Sequence, residues 1–428
     1  AAAALVAIGE SAVEPLAELL ADPSVLRPIR LVLPRILREI PSRRTYATLR
    51  GYVRVPDGHI RLRVLAAMSS IRGRLAGVRE SRAAVCDLVR FEIEAAYRNM
   101  AAWQKIRERY DTPLLHAEFD FRRQRAYRRV LRVLELRYDR SGLKLVRNAI
   151  DRGTGRANAL EVLDTMVEPL LRPLVVPFFD ELRDAEKVAR AGSMVPPVPS
   201  AEAFLLEQCH HSNPFVVAIA IDALHRAGAS EAMEAAVSCV GHVDPLVREV
   251  ALRTLVALGQ PPPSLCASDP DPVVARLARA LLQSTARSNM YSTLEKILML
   301  KGTPLFAGVA AEDLSSIARL AEERSFAAGE RIVTEGELGD ELYIIMSGSV
   351  AITRGGEPVS TLMPGEAFGE ISVLDAGPRT ATAAALVETE VLAITSEEFY
   401  EILYEQTEIA EGVIRMLVKR LRDAQGGT

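Results

Sequence analysis

The stretch Glu335-Gly336-Glu337-Leu338-Gly339-Asp340-Glu341-Leu342-Tyr343-Ile344-Ile345-Met346-Ser347-Gly348-Ser349-Val350 sets the character of the last third of the chain. Its apolar run, Leu342 to Met346, is too short for a helix, contains aromatic and β-branched residues, and is bounded by glycines. The spacing predicts a strand over 341–346, entered and left through tight turns. The same rhythm begins at Ser325. Short apolar runs over 331–334, 349–353, 358–363, 380–386 and 390–394 are punctuated by Arg354-Gly355-Gly356 and Pro364-Gly365-Glu366. Short, evenly spaced strands with Gly-rich turns predict a small β-barrel or jelly roll. Helical spacing flanks it, over 311–323 before and 396–404 and 406–422 after. The last helix carries an apolar stripe of Ile409, Val413, Met416, Leu417 and Leu421.

Residues 1–300 read differently. Asp22-Pro23-Ser24-Val25 precedes a helical pattern over 26–37. Asn213-Pro214-Phe215-Val216-Val217, Asp244-Pro245-Leu246-Val247-Arg248 and Asp271-Pro272-Val273-Val274-Ala275-Arg276 each precede another, and Asp57-Gly58-His59-Ile60-Arg61 is a looser copy. Asp or Asn accepts hydrogen bonds from the free N–H groups of a first helical turn, and Pro loses nothing at the first helical position. Gly228 and Gly259 stand where a helix would stop. A second helix between phrases, as over 230–239, gives helix pairs at intervals near thirty residues, the mark of a stacked solenoid. The fold class expected is therefore multidomain: an all-α solenoid followed by a small β-barrel with flanking helices. Longer, less regular helices occupy 40–180. The segment 183–200, with Gly192, Pro196, Pro197 and Pro199, reads as a linker. A helix over about 284–303 is expected to join the repeats to the barrel.

Composition is that of a globular chain, 428 residues with 49% hydrophobic and 25% charged. The net charge of −4 hides an asymmetry: residues 301–428 hold 10 Lys/Arg against 22 Asp/Glu, and the remainder is net basic. Residues 121–150 are the most basic stretch. Arg122, Arg125, Arg129 and Arg132 fall on one helical face, either as a surface for phosphate or as a face paired with acids on neighbouring helices. Four scattered cysteines, with no Cys-x-x-Cys pair, read as reduced thiols. Cys209-His210-His211 and Cys239-Val240-Gly241-His242 contain metal-ligating types at a spacing that matches no common zinc site. No apolar run approaches the ~18 residues that span a bilayer. Ala1 opens inside an apolar, helix-like pattern, which reads as a piece of a longer protein.

Two of these motifs carry a resemblance. Glu335-Gly336-x-x-Gly339-Asp340-x-x-Tyr343-Ile344-Ile345-x-x-Gly348-x-Val350 resembles the barrel signature of the cyclic-nucleotide-binding domain family. Phe368-Gly369-Glu370-Ile371-Ser372-Val373-Leu374 followed by Pro378-Arg379-Thr380-Ala381-Thr382 resembles its phosphate-binding cassette. The lead-in 294–306 is also similar, so the resemblance covers 304–428. The chemistry is coherent by itself. Gly369 lets backbone approach a ligand closely, the turn after it offers free N–H groups to phosphate, and Arg379 supplies a permanently charged fork. Ionised Glu370 can only accept, which suits a sugar hydroxyl. The resemblance assigns the same roles to Glu370 and Arg379 and adds the Ala381 N–H as a phosphate donor. Ser372 and Val373 depart from the residues common in the family. Thr380 is implied to go with tolerance of or preference for cyclic GMP through its exocyclic amine, without excluding cyclic AMP, toward which the expectation leans.

The Asp-Pro-x-Val-Arg phrases resemble HEAT repeats, best over 244–259. HEAT-like blocks over 1–182 and 201–283 followed by such a sensor look like the cytosolic tails of some bacterial major-facilitator-type nucleotide carriers. The expectation is a non-enzymatic, cytoplasmic regulatory module at the inner face of a membrane. Its ligand is cAMP or cGMP, its solenoid takes a protein partner, and it needs no cofactor, metal or nucleic acid. A Walker loop, a dinucleotide fingerprint, a G-x-S-x-G elbow and an H-E-x-x-H helix are all lacking. The alternative is a HEAT scaffold whose barrel binds no ligand.

Overall fold

A computed structural model describes residues 2–22, 24–152, 155–282, 291–375, 377–405, 410, 413–414 and 418. The chain divides into two compact units, Ala1–Asn213 and Pro214–Thr428.

The first unit is helical. Its longest elements are the helices Gly58–Arg74, Arg82–Ile106 and Pro113–Leu134, packed around a core that includes Leu37, Leu49, Ile60, Leu65, Met68 and Ile93. The basic stretch is spent inside this unit. Arg122 pairs with Glu118 at 2.8 Å, Arg132 and Arg147 with Glu135 at 2.6 and 3.1 Å, and Arg125 Nη2 lies 2.8 Å from His59 Nδ1. The carboxylate of Glu92 bridges Arg61 at 2.8 Å and Arg129 at 2.6 Å, with all three buried. These arginines are therefore met inside the unit, Arg122 and Arg132 by acids of their own helix and its C-cap, Arg125 by His59, and Arg129 by Glu92 on a neighbouring helix.

The segment expected to be a linker contains a helix, Asp184–Ala191, held by Lys187, whose ammonium donates to the Phe178 carbonyl at 3.0 Å and the Tyr127 hydroxyl at 2.8 Å. Beyond it, the helix Ala201–Gln208 packs on Arg82–Ile106 through Phe204 and the Arg98–Glu207 pair, so the division between units falls at Asn213.

In the second unit the repeated phrase becomes a repeated hydrogen-bond device. The helices Pro245–Ala257 and Pro272–Leu282 begin on Asp244 and Asp271, whose carboxylates accept N–H groups of Leu246 at 2.9 Å and Val273 at 3.1 Å. Two residues earlier, His211, His242 and Asp269 each accept the N–H of Asn213, Asp244 and Asp271 at 2.8–3.0 Å. Two of the histidines in the Cys/His clusters thus shape turns. Arg248 folds back onto the carbonyls of His242 and Val243 at 2.8 Å, as Arg61 does onto Val55 and Pro56 at 2.7 and 2.9 Å. The looser phrase at Asp57 therefore builds the same turn. After the helices, Gly228 and Gly259 take positive φ, and Ala229 and Gln260 donate to Leu224 and Leu255 at 3.0 Å, closing the helix ends.

The helix leading into the barrel is Thr293–Gly302, starting at a capping box of Ser292 and Glu295. Of the longer helix expected, 284–290 lie outside the described residues, and Tyr291 and Ser292 are not helical. Its N-terminus is clamped by the helix Pro245–Ala257. Glu249, buried on Pro245–Ala257, accepts the Thr293 N–H at 3.1 Å and the Thr293 hydroxyl at 2.5 Å. Arg319 pairs with Asp271, and on the barrel side the Tyr291 hydroxyl donates to Glu390 at 2.7 Å.

The barrel has eight strands: β1 (Glu322–Phe326), β2 (Arg331–Val333), β3 (Glu341–Ser347), β4 (Val350–Arg354), β5 (Glu357–Leu362), β6 (Ala367–Phe368), β7 (Thr382–Ala385) and β8 (Thr389–Thr395). They form two antiparallel sheets, ordered β1-β8-β3-β6 and β2-β7-β4-β5. Tyr343, Ile345, Val350, Phe368, Ala383 and Val391 make a core drawn from both sheets. Leu342 and Ile344, on the opposite face of β3, are buried as well, and the short helix Glu370–Asp375 packs on this strand. Burial on both faces explains why this strand shows no alternation. Residues 322–323, expected to end a helix, open β1 instead, and the helical turns stop at Leu320. The helix over 396–404 is found as Ser396–Glu405. Of the helix expected over 406–422, Ala410, Val413, Ile414 and Val418 are helical, while Ile409, Met416, Leu417 and Leu421 lie outside the described residues.

Candidate functional site

Between the sheet β2-β7-β4-β5 and the turn from β6 into the Glu370–Asp375 helix lies a cavity of about 350 Å³. Phe368, Gly369, Glu370, Ile371, Ser372, Arg379, Thr380 and Ala381 all line it. The eight residues singled out in the sequence converge on one space.

Gly369 turns the chain with φ +81°, a conformation that L side chains rarely adopt. A Cβ there would stand 2.7 Å from the Glu341 carbonyl oxygen, so the turn excludes larger residues on two counts. The reward is proximity: the Arg379 guanidinium threads past Gly369, its Nη1 donating to the carbonyls of Glu341 at 2.8 Å and Gly369 at 3.1 Å. Beneath it, Tyr343 and Phe368 stack with centroids 5.1 Å apart, and the guanidinium carbon lies 5.7 Å from the Tyr343 ring centre. The backbone on either side is pinned, Arg379 N–H to Glu337 at 2.8 Å and Gly336 N–H to the Arg379 carbonyl at 2.9 Å.

Arg379 is 6% exposed and pairs with no carboxylate among the described residues. Its Nε and Nη2 meet no acceptor among them either. A buried cation answered only by two carbonyls is costly unless an anion completes it. Nearby carboxylates are committed. Glu341 is gripped by Arg324 at 2.6 and 2.8 Å and accepts the Tyr343 hydroxyl at 2.5 Å, and these hydrogen bonds, Arg324's above all, hold its carboxyl below the usual range. Burial, with that hydrogen bond, pushes the Tyr343 phenol up to about 12. Glu370 is itself 4% exposed on the first turn of its helix.

Opposite this polar end the wall is apolar: Val333 on β2, Ile352 on β4, Val359 and Leu362 on β5, Ala383 on β7. Pro304 and Leu305, from the lead-in, complete it. Cassette reasoning missed this wall, although its residues belong to strands already legible. Among the described residues no group of three or more His, Cys, Asp or Glu is placed to hold a metal, and no helix is long and apolar enough to cross a membrane.

The profile of the cyclic nucleotide-binding domain family matches residues 323–406. The chain is 37% identical over 130 residues to the cyclic AMP receptor protein of Thermus thermophilus, covering 29% of this chain and 60% of that protein. It is 30% identical over 145 residues to a cAMP-dependent protein kinase regulatory subunit of Hypocrea atroviridis, covering 34% of this chain and 29% of that one. Among solved structures, the regulatory domain of Toxoplasma gondii PKA, co-crystallised with cAMP, is 26% identical, with a TM-score of 0.26, over 27% of this chain and 46% of that one. The chain thus spans less than two thirds of the length of each of these relatives. Residues 323–406 of this chain are a cyclic nucleotide-binding domain, homologous to the cyclic AMP receptor protein and to the kinase regulatory subunit.

Proposed function

We propose that the cavity captures a cyclic purine mononucleotide, cAMP or cGMP, and that the chain is a regulatory module reporting its presence. The observation that carries this reading is Arg379: a buried guanidinium with two nitrogens lacking acceptors among the described residues, lining a cavity of about 350 Å³. That volume lies at the lower end of the ~300–1,000 Å³ usual for small-ligand sites. The phosphate meets Arg379 and the N–H groups near Gly369 and Ala381, the ribose hydroxyl donates to Glu370, and the base lies on the apolar wall. The relatives named above, a cyclic AMP receptor and cAMP-dependent kinase subunits, favour the same ligand class.

The helices before the barrel are read as HEAT-like pairs that offer a surface to a protein partner. The arrangement is read as the cytosolic regulatory part of a membrane transporter, with a membrane domain upstream. The recurrent Asp-capped turns at Asp57, Asp244 and Asp271 support the repeat reading.

Thermal unfolding with and without nucleotide tests the ligand reading. A ligand at a hundred times its Kd stabilises the folded state by about 2.7 kcal/mol, so the barrel transition shifts upward with cAMP or cGMP and stays put with 5′-AMP. An unchanged transition with both cyclic nucleotides would leave the scaffold with a ligand-silent barrel as the reading.

A further inference from the structure

The cavity holds a second guanidinium with no part in the cassette. Arg354 ends β4, and with Ile352 of the same strand it lines the cavity. Its Nε donates to the Thr380 carbonyl at 3.1 Å, which anchors the fork beside the segment that follows Arg379. Its terminal nitrogens meet no acceptor among the described residues. A cyclic mononucleotide carries one phosphate charge, and Arg379 already faces it.

The purine supplies what remains. A base lying flat on Val333, Ile352, Val359 and Leu362 buries its faces, but its hydrogen-bonding edge still needs partners. The exposed polar side chains lining the cavity beside that wall include Arg354, Ser360 and Thr380. A guanidinium offers two parallel donors. Guanine presents O6 and N7, two adjacent acceptors, whereas adenine sets an amino donor beside N7.

We infer that Arg354 reads the edge of the base and biases the cavity toward guanine, so that cGMP binds more tightly than cAMP. This rests on the proposed reading of the cavity as a cyclic-nucleotide site. Specificity then has two sources: Arg379 selects the cyclic phosphate, and Arg354 selects the base. A lysine at 354 keeps the charge and loses the fork.

Titration of the whole chain with cGMP and with cAMP, in wild type, Arg354→Gln and Arg354→Lys, tests this. The wild type is expected to prefer cGMP by about tenfold. Both variants are expected to lose that preference, the cGMP/cAMP affinity ratio falling about tenfold. A wild-type preference for cAMP, or an equal loss for both nucleotides in Arg354→Gln, would overturn the assignment while leaving the nucleotide site standing. If the wild type bound neither nucleotide, the site reading itself would fall, and the assignment with it.

Discussion

A buried charge persists where something answers it, and this chain uses two kinds of answer. In the helical unit the answer is a carboxylate at three arginines: Arg27 on Asp57, Arg61 and Arg129 on Glu92. In the barrel Arg379 is answered, among the described residues, by carbonyl oxygens alone, which leaves room for an anion. Asp57 allows a quantitative check. Burial by itself would raise its pKa, but the charge and hydrogen bond of Arg27 and the N–H groups of Ile60 and His59 outweigh it, holding the group at about 2 against an ordinary 3.8. A depressed pKa contributes stability that is complete above the unfolded value and is lost as pH falls through the folded one. Asp57→Asn keeps a helix-capping side chain and removes the charge. The wild type is therefore expected to exceed the variant by roughly 2 kcal/mol near neutrality, the gap closing between about pH 4 and 2. Urea unfolding at several pH values measures it, and a gap independent of pH would refute the account. Of these residues, the cassette could be read from sequence because Gly369, Glu370, Arg379 and Ala381 lie within thirteen positions. The Arg61–Glu92–Arg129 bridge could not, since its members are brought together only by the packing of three helices.

Among the elements, legibility followed hydrophobic pattern. The strands at 331, 341, 350, 357, 382 and 389 carry apolar runs between glycine turns and were readable within two residues. β1 was not: Glu322-Glu323-Arg324-Ser325-Phe326 has three charges in five residues and is a strand because it pairs with β8, with Arg324 held by Glu341. β6 is two residues long, below any periodic signal. The helix Asp184–Ala191 lies in a Pro/Gly-bearing stretch and owes its place to the tertiary contacts of Lys187. The element that leads into the barrel is Thr293–Gly302, whose first turn is held by Glu249 of the helix Pro245–Ala257. If the clamp transmits ligand binding, adding a cyclic nucleotide slows amide exchange both in the barrel and in Pro245–Ala257. Glu249→Ala removes a buried, charged hydrogen-bond partner, costing roughly 1–3 kcal/mol locally. It is expected to abolish the slowing in Pro245–Ala257 while the barrel keeps its own. Equal slowing in variant and wild type would show that the clamp carries no coupling.

For the whole molecule, the two compact units differ in how they were written. The acidic balance of 301–428 and its switch to short strands mark off the part of the second unit where the family profile falls. The Asp-bearing phrases announced helix starts, and the hydrogen-bond device recurs at Asp57, Asp244 and Asp271. The place where the units divide was less legible, because Ala201–Gln208 reads as continuous with the helices that follow it yet packs on Arg82–Ile106. Side-chain packing across more than a hundred positions decides that, and no local signal encodes it. What the molecule does as a whole depends on whether the barrel takes its ligand. Calorimetric titration of the chain with cAMP and cGMP, in wild type and Arg379→Ala, tests this most directly. The account predicts saturable binding of at least one nucleotide at micromolar or tighter concentration, weakened by about a hundredfold or more in the variant. Absence of binding to both nucleotides, or binding that Arg379→Ala leaves intact, would contradict it.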